Sequence, residues 1–173
     1  MIMKRILVVS DSHGLTQPLQ DIREKHPEVS LFIHCGDSEL PREDPALDGY
    51  VPVGGNCDFY PGFPDDELIE IAGKKIFVTH GHRHSVKSTL MNLQYKAEEL
   101  GAKIVCFGHS HSLGAELSGG ILFINPGSIR QPRGRRERTY VILGLGDSEV
   151  EVRVFDLEDG EIPGLHRIFR IGE

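Results

Sequence analysis

The chain has 173 residues and carries 19 Lys and Arg against 26 Asp and Glu, a formal net charge of −7 with nine His uncounted. That length suits one domain over residues 1–173, large enough to bury a core without staples, and the apolar content excludes a disordered or fibrous chain. The acidic sum argues against stable nucleic-acid binding, which takes a basic stripe, and sits awkwardly with an anionic substrate. Cys35, Cys57 and Cys106 are widely spaced and form no C-x-x-C pair, which fits a reducing cytoplasm better than a disulfide framework. The apolar run Ile6 to Val9 is too short for a signal segment or a membrane span, so no membrane association is expected.

Lys4 to Val9 reads as a buried strand and stops in the polar loop Ser10-Asp11-Ser12-His13-Gly14. Leu15, Leu19 and Ile22 recur at i, i+4 and i+7, and Pro18 suits a first helical turn, so a helix follows. Leu31 to Ile33 and Val51 to Val53 repeat the scheme of strand and polar cluster, ending in His34-Cys35-Gly36-Asp37 and in Gly54-Gly55-Asn56-Cys57-Asp58. Asp66 to Ala72 alternates like a half-buried strand, Gly73-Lys74 turns the chain, and Lys75 to Thr79 runs as a buried strand into His80-Gly81-His82-Arg83-His84. Ser85 is placed as the N-cap of a helix with the face Val86, Leu90, Leu93, Ala97 and Leu100, closed by Gly101. Lys103 to Phe107 is the next buried strand and ends in Gly108-His109-Ser110-His111. Hairpins follow: Leu113 to Leu117 with Ile121 to Ile124 about Gly119-Gly120, then Thr139 to Leu145 with Glu149 to Phe155 about Gly146-Asp147. An α/β first part and an antiparallel last part predict two facing sheets with helices outside.

Strand ends deliver Asp11 and His13, Asp37, Asn56, His80, and His109 and His111 to the loops where open α/β sheets bind ligands. Taken singly, each has a structural reading. Asp11 and Asp37 suit turns, Asn56 tolerates a left-handed backbone, and His80 and His109 suit a core. As a set at one end of separate strands, they offer imidazole, carboxylate and amide oxygen to divalent ions such as Mn²⁺, Fe²⁺, Ni²⁺ or Zn²⁺. They are too many for one ion and suit two ions that share a bridging carboxylate.

D-x-H at Asp11 and His13, G-D at Gly36 and Asp37, G-N-x-D at Gly55 to Asp58, H-G-H at His80 to His82 and G-H-x-H at Gly108 to His111 resemble the five-block signature of the calcineurin-like metallophosphoesterases. N-P-G-S at Asn125 to Ser128 resembles the short phosphodiesterase branch, and the likeness runs from about Lys4 to Tyr140. The resemblance implies an α/β fold, a four-layer αββα sandwich of two mixed β-sheets flanked by helices. It also implies a phosphodiesterase acting on a small phosphodiester or nucleotide-like substrate. Two divalent ions are implied, Mn²⁺ first, with Ni²⁺, Fe²⁺, Zn²⁺ or Mg²⁺ as alternatives. Asp11, His13 and His111 would hold one, Asn56, His80 and His109 the other, with Asp37 bridging. Such a pair would lower the pKa of a shared water and so supply hydroxide for in-line attack on phosphorus. Its charge also reconciles an acidic chain with an anionic substrate.

The chain departs from the wider superfamily at Cys57, where many members carry a His credited with assisting the leaving group. His82 is therefore the candidate acid, with His34 and His84 as alternatives, while Cys57 and Asp58 are read as orienting neighbours. Among Arg130, Arg133, Arg135, Arg136 and Arg138, a solvated loop is the reading for most, and Arg133 is the candidate phosphate clamp. Phe59 and Tyr60 are expected to pack in a core, with an aromatic wall for a nucleobase or aryl group as the alternative. The resemblance extends to the vacuolar protein-sorting subunit of retromer, an interaction scaffold, and to phosphomonoesterases and dinucleotide-polyphosphate hydrolases. Asp37 and Asn56 favour the enzyme over the scaffold. The late hairpins offer surfaces for a homo-oligomer.

Overall fold

In the computed structural model, which describes residues 3–172, β1 (Lys4–Val9) is buried on both faces because its alternate side chains enter two different cores. After it come α1 (Gln17–Lys25), β2 (Leu31–His34), β3 (Tyr50–Pro52), β4 (Asp66–Ile71), β5 (Lys74–Thr79), α2 (Met91–Leu100) and β6 (Ile104–Cys106). The chain continues through β7 (Gly114–Ser118), β8 (Ile121–Asn125), β9 (Thr139–Leu145), β10 (Glu149–Asp156), β11 (Gly160–Glu161) and β12 (Arg167–Arg170). The first sheet has seven strands in the order β11-β10-β9-β1-β2-β3, with β12 also paired to β10; the second has five, in the order β4-β5-β6-β8-β7.

Both sheets are mixed. β1, β2 and β3 run parallel, and β9 joins β1 antiparallel. β8 lies parallel to β6 and antiparallel to β7, so the first late hairpin completes the second sheet, while the other returns to the first. Gly119-Gly120 specifies the hairpin locally; the strand it docks on follows from burial between the sheets. There, Ile6, Val8 and Ile33 of the first sheet meet Ile76, Val78, Ile104, Leu122 and Ile124 of the second. Leu7 and Val9 face the other way, against Leu19 and Ile22 of α1. Phe77, Val105 and Phe123 cover the opposite outer face with Leu93 and Ala97 of α2. The layers are therefore helix, sheet, sheet, helix, with each fully buried Leu, Ile or Phe worth roughly 1.5–3 kcal/mol over exposure.

Pro18 sits in the first turn of α1, as its fixed φ favours. α2 begins later than the apolar spacing predicts. Ser85 is not its N-cap: it adopts φ +55°, and its carbonyl accepts from the Ser88 and Thr89 N–H groups, so residues 81–88 form turns. Val86 is nevertheless buried on the α2 side, which is why the periodicity ran through the turn. Gly101 does close α2, at φ +72°, with its own N–H on Glu98 O and that of Ala102 on Ala97 O. β12 escaped the sequence reading because Phe169 is its one buried residue. All three cysteines are free, Cys35 and Cys106 in the inter-sheet core. Among the described residues, no helix is long and apolar enough to cross a membrane.

Candidate metal centre

The loops after β1, β2 and β6 hold an unusual backbone. Asp11, His13, Asp37, His109 and His111 all have positive φ, between 41° and 72°. Left-handed conformations cost an L-residue roughly 1–2 kcal/mol, and such strain concentrates at functional sites. Hydrogen bonds across the strand ends hold it: Asp11 N–H to Gly36 O at 3.0 Å, His13 N–H to Asp37 O at 2.9 Å and Gly108 N–H to His80 O at 2.9 Å. The N-P-G-S segment is a brace. Ser128 Oγ donates to Asp11 O at 2.7 Å and accepts from the Gln131 N–H, while Asn125 Nδ2 donates to Ser110 Oγ at 2.9 Å.

Each carboxylate spends one oxygen on being positioned. Asp11 Oδ2 accepts from Ser10 Oγ at 2.6 Å and from the His109 N–H at 3.1 Å; Asp37 Oδ1 accepts from the Cys57 N–H at 2.8 Å. The other oxygens turn to the histidines. Asp11 Oδ1 lies 3.2 Å from His111 Nε2, 3.7 Å from His13 Nε2 and 3.8 Å from His80 Nε2. Asp37 Oδ2 lies 3.1 Å from His80 Nε2 and 3.9 Å from His13 Nε2. The imidazoles follow the same division. Nδ1 of His80 is held by Cys35 O, of His111 by Gln131 O and of His13 by Glu39 Oε1, so each Nε2 presents its lone pair to the shared volume.

This arrangement suits a cation. His13 Nε2 and His111 Nε2 stand 3.2 Å apart, and Asp11 Oδ1 and His80 Nε2 are buried with no hydrogen-bond partner. Ligand atoms of Asp11, His13 and His111, and of Asp11, Asp37 and His80, each lie within 4.8 Å of one another. Orphaned acceptors converging in a buried volume fit a divalent ion with nitrogen and oxygen donors. Burial opposes a charge on Asp11, yet contacts with His111, His80 and Ser10 outweigh it and hold its pKa below the usual carboxylate range. Asp37 is held at about 2 against its burial, by His80 and the Cys57 N–H, and both His80 and His111 are raised.

The remaining candidates fall around this cluster. His109 puts its ring 5.1 Å from that of His80, and burial with the neighbouring His80 and Lys87 lowers its pKa to about 4. Asn56 is exposed on the turn between Gly55 and Asp58, with Nδ2 3.7 Å from Cys57 Sγ. Asp58 binds three backbone N–H groups, those of Asp37, Glu39 and Gly55, and so ties the loop after β2 to the loop after β3. The Cys57 thiol is pushed up to about 11 by burial and the adjacent Asp37, which leaves it protonated at neutral pH. His82 is half-buried, its ring 5.4 Å from that of His80 and 6.2 Å from that of His109, and burial lowers its pKa.

Two alternative acids are corrected. His34 is fully buried, its Nδ1 accepting from the Gly36 N–H and its Nε2 on Ser12 Oγ, so both nitrogens are structural. His84 sits edge-on to Phe77 on the α2 side of the second sheet. Arg133 is exposed, its N–H on His111 O at 2.9 Å, with no acidic partner among the described residues; Arg135 and Arg138 pair with Glu137 and Glu158. Phe59 and Tyr60 do not enter a core: they are 89% and 51% exposed, because only Phe63 of that loop reaches apolar neighbours. Glu39, which holds His13 Nδ1, carried no periodic or motif signal beyond its place two residues after Asp37.

His34 carries a pH dependence. Burial depresses its pKa to about 4, so between the unfolded value near 6.5 and about 4 only the unfolded chain takes up its proton. Stability is therefore fully present above pH 6.5 and falls as pH drops, by on the order of 3 kcal/mol from this group. Urea titration of metal-free protein should show that slope, and His34→Gln should remove its share; a stability flat from pH 6.5 to 4.5 would contradict the assignment.

A model of the calcineurin-like phosphoesterase superfamily domain matches residues 3–148. The chain belongs to that superfamily. YsnB of Bacillus subtilis strain 168, a probable metallophosphoesterase, is 53% identical over 161 residues, 92% of this chain and 95% of that protein. A Streptococcus pneumoniae TIGR4 structure, described as a predicted phosphoesterase, superposes with TM-score 0.93 at 39% identity, over 98% of this chain and 99% of the other. The phosphodiesterase YfcE of Escherichia coli K12 is 28% identical over 189 residues, covering 92% and 96% of the two chains. Vacuolar Protein Sorting 29 of Cryptosporidium parvum shares the fold at TM-score 0.77 and 21% identity, over 98% and 100%. The chain is thus an enzyme of the metallophosphoesterase class, and its buried donors include groups placed closely enough to hold a metal ion.

Proposed function

We propose that this phosphoesterase is a metal-dependent phosphodiesterase for small phosphodiesters, with Asp11, His13 and His111 holding one divalent ion, Asn56, His80 and His109 a second, and Asp37 shared. The observation that carries this reading is the set of Nε2 lone pairs and carboxylate oxygens facing one another, with Asp11 Oδ1 and His80 Nε2 buried and unpartnered. Bound divalent ions supply Lewis acidity toward phosphoryl oxygens and a water of lowered pKa. Mn²⁺ is placed first by the family resemblance, and the imidazole, carboxylate and amide donors suit Ni²⁺, Fe²⁺, Zn²⁺ or Mg²⁺ as alternatives. The name of YfcE favours a diester over a monoester. The free thiols suit a reducing cytoplasm.

The chain's own groups then have distinct tasks. Ser10, Glu39, Gln131 O and Cys35 O fix the orientation of the donors through hydrogen bonds that leave the reacting side open. Asp58 and the Cys57 N–H keep Asp37 in register, a positioning role. His82, its ring 5.4 Å from that of His80, is assigned as the acid that assists the leaving-group oxygen. Arg133, without an acidic partner among the described residues and tethered through its backbone N–H to His111 O, is assigned to the phosphate. Arg133→Ala should raise KM for a diester roughly tenfold, the scale of a lost charge-assisted pair, and leave metal content unchanged; unchanged kinetics would remove that role.

The deciding experiment joins metal analysis to hydrolysis of bis(p-nitrophenyl) phosphate against p-nitrophenyl phosphate. Two ions per chain and a preference for the diester are expected. A monoester preference, or activity without metal, would overturn the reading.

A further inference from the structure

Phe59 and Tyr60 lie at the tip of a loop whose base is tied down at several points. The Gly54 N–H donates to Pro64 O at 2.8 Å and closes the base. Asp58, immediately before the tip, accepts from Asp37 and Glu39 N–H at 2.8 Å and from Gly55 N–H at 2.7 Å. On the far side, Phe63 packs toward the α1 core, with the Arg42 guanidinium 6.0 Å from its ring centroid. The tip is therefore carried on a fixed base.

The tip also lies near the donor cluster. The Cys57 N–H is 2.8 Å from Asp37 Oδ1, and two residues of chain put Phe59 Cα within about 12 Å of that carboxylate. Isolated apolar residues on a surface need no explanation. Two adjacent aromatics, one of them 89% exposed, beginning one residue after the anchor of Asp37, combine accessibility with fixed position. Aromatic rings make large contacts at low conformational cost, and every nucleobase or aryl group offers a flat face to stack on them.

We infer that Phe59, with Tyr60 beside it, is a stacking platform for an aryl or nucleobase group of the substrate, selecting aromatic phosphodiesters over alkyl ones. The inference rests on the phosphodiesterase reading and names its substrate class. Phosphate groups are held at the donor cluster and Arg133, so the platform contributes to binding of the organic group and leaves the chemical step alone.

The test uses the metal-loaded full chain, with adenosine 5′-monophosphate and methyl phosphate as competitive inhibitors of bis(p-nitrophenyl) phosphate hydrolysis. Phe59→Ala should weaken adenosine monophosphate about tenfold, the scale of one base–aromatic stack. Methyl phosphate should inhibit unchanged, and KM for the diester should rise with kcat held within about twofold. The chain contains no Trp, so Phe59→Trp installs a single reporter whose emission should be quenched by adenosine monophosphate and not by methyl phosphate. Equal weakening of both inhibitors, an unchanged constant for adenosine monophosphate, or an unquenched Trp would overturn the platform. A Phe59→Ala variant that alters oligomeric state with that constant unchanged would assign the tip to self-association and overturn it as well. Wild-type protein that hydrolyses no diester would overturn the phosphodiesterase reading instead, and the Trp signal would then judge the platform separately.

Discussion

Asp37→Asn should lose turnover by at least about a thousandfold and lower the bound metal toward one ion or none, with the fold retained. The scale is that of removing a charged group on which the catalytic site depends electrostatically. Asp37 Oδ1 takes the Cys57 N–H and Oδ2 faces His80 Nε2 at 3.1 Å and His13 Nε2 at 3.9 Å. Asn preserves the volume and one acceptor but removes the charge. Metal analysis with bis(p-nitrophenyl) phosphate kinetics checks it, and circular dichroism separates ligand loss from unfolding. Two bound ions with normal activity would refute the shared-carboxylate assignment.

Gly55→Ala should reproduce much of that loss without replacing any donor. A Cβ there would lie 2.1 Å from Asp37 Oδ1 and 2.8 Å from the Asp37 backbone N, closer than real atoms pack. Asp37 or the Gly55 turn must move, and both are held by the same Asp58 carboxylate. Overpacking of this kind costs roughly 1–3 kcal/mol, which for a chain of this size lowers Tm by roughly 2–10 °C. Metal content should fall alongside. Gly114→Ala is the control, since a Cβ there meets nothing within 4 Å and Gly114 lies on an edge strand. Equal effects of the two substitutions on metal content would show that the loss does not arise at Asp37.

The two-sheet architecture was legible because strands buried on both faces leave continuous apolar runs, and KRILVV, KIFVT and the stretch before Gly108 are such runs. Polar clusters after those runs marked the strand ends, and Asp11, His13, Asp37, His80 and His111 do come together there. The start of α2 departs from the apolar spacing because Val86 is apolar and buried yet lies in a turn, where periodicity carries no information about hydrogen bonding. Phe59 and Tyr60 lie outside the cores, and their aromatic character alone does not tell whether their loop can reach one.

What the acidic 173-residue sequence determined by itself was the residue types at the strand ends and the apolar alternation that sorts Ile6 and Val8 from Leu7 and Val9. Tertiary structure alone decided which oxygen of each carboxylate is spent on a backbone or hydroxyl donor and which stays free, and which imidazole nitrogen keeps its lone pair. It also recruited Glu39, Gln131 O and Ser128 as supports, and turned His34 from a candidate acid into a buried strut. The physical reason is range: apolar periodicity is a local property of the chain, whereas hydrogen-bond saturation depends on groups such as Asp11 and Ser128 that only folding brings within 3 Å of each other.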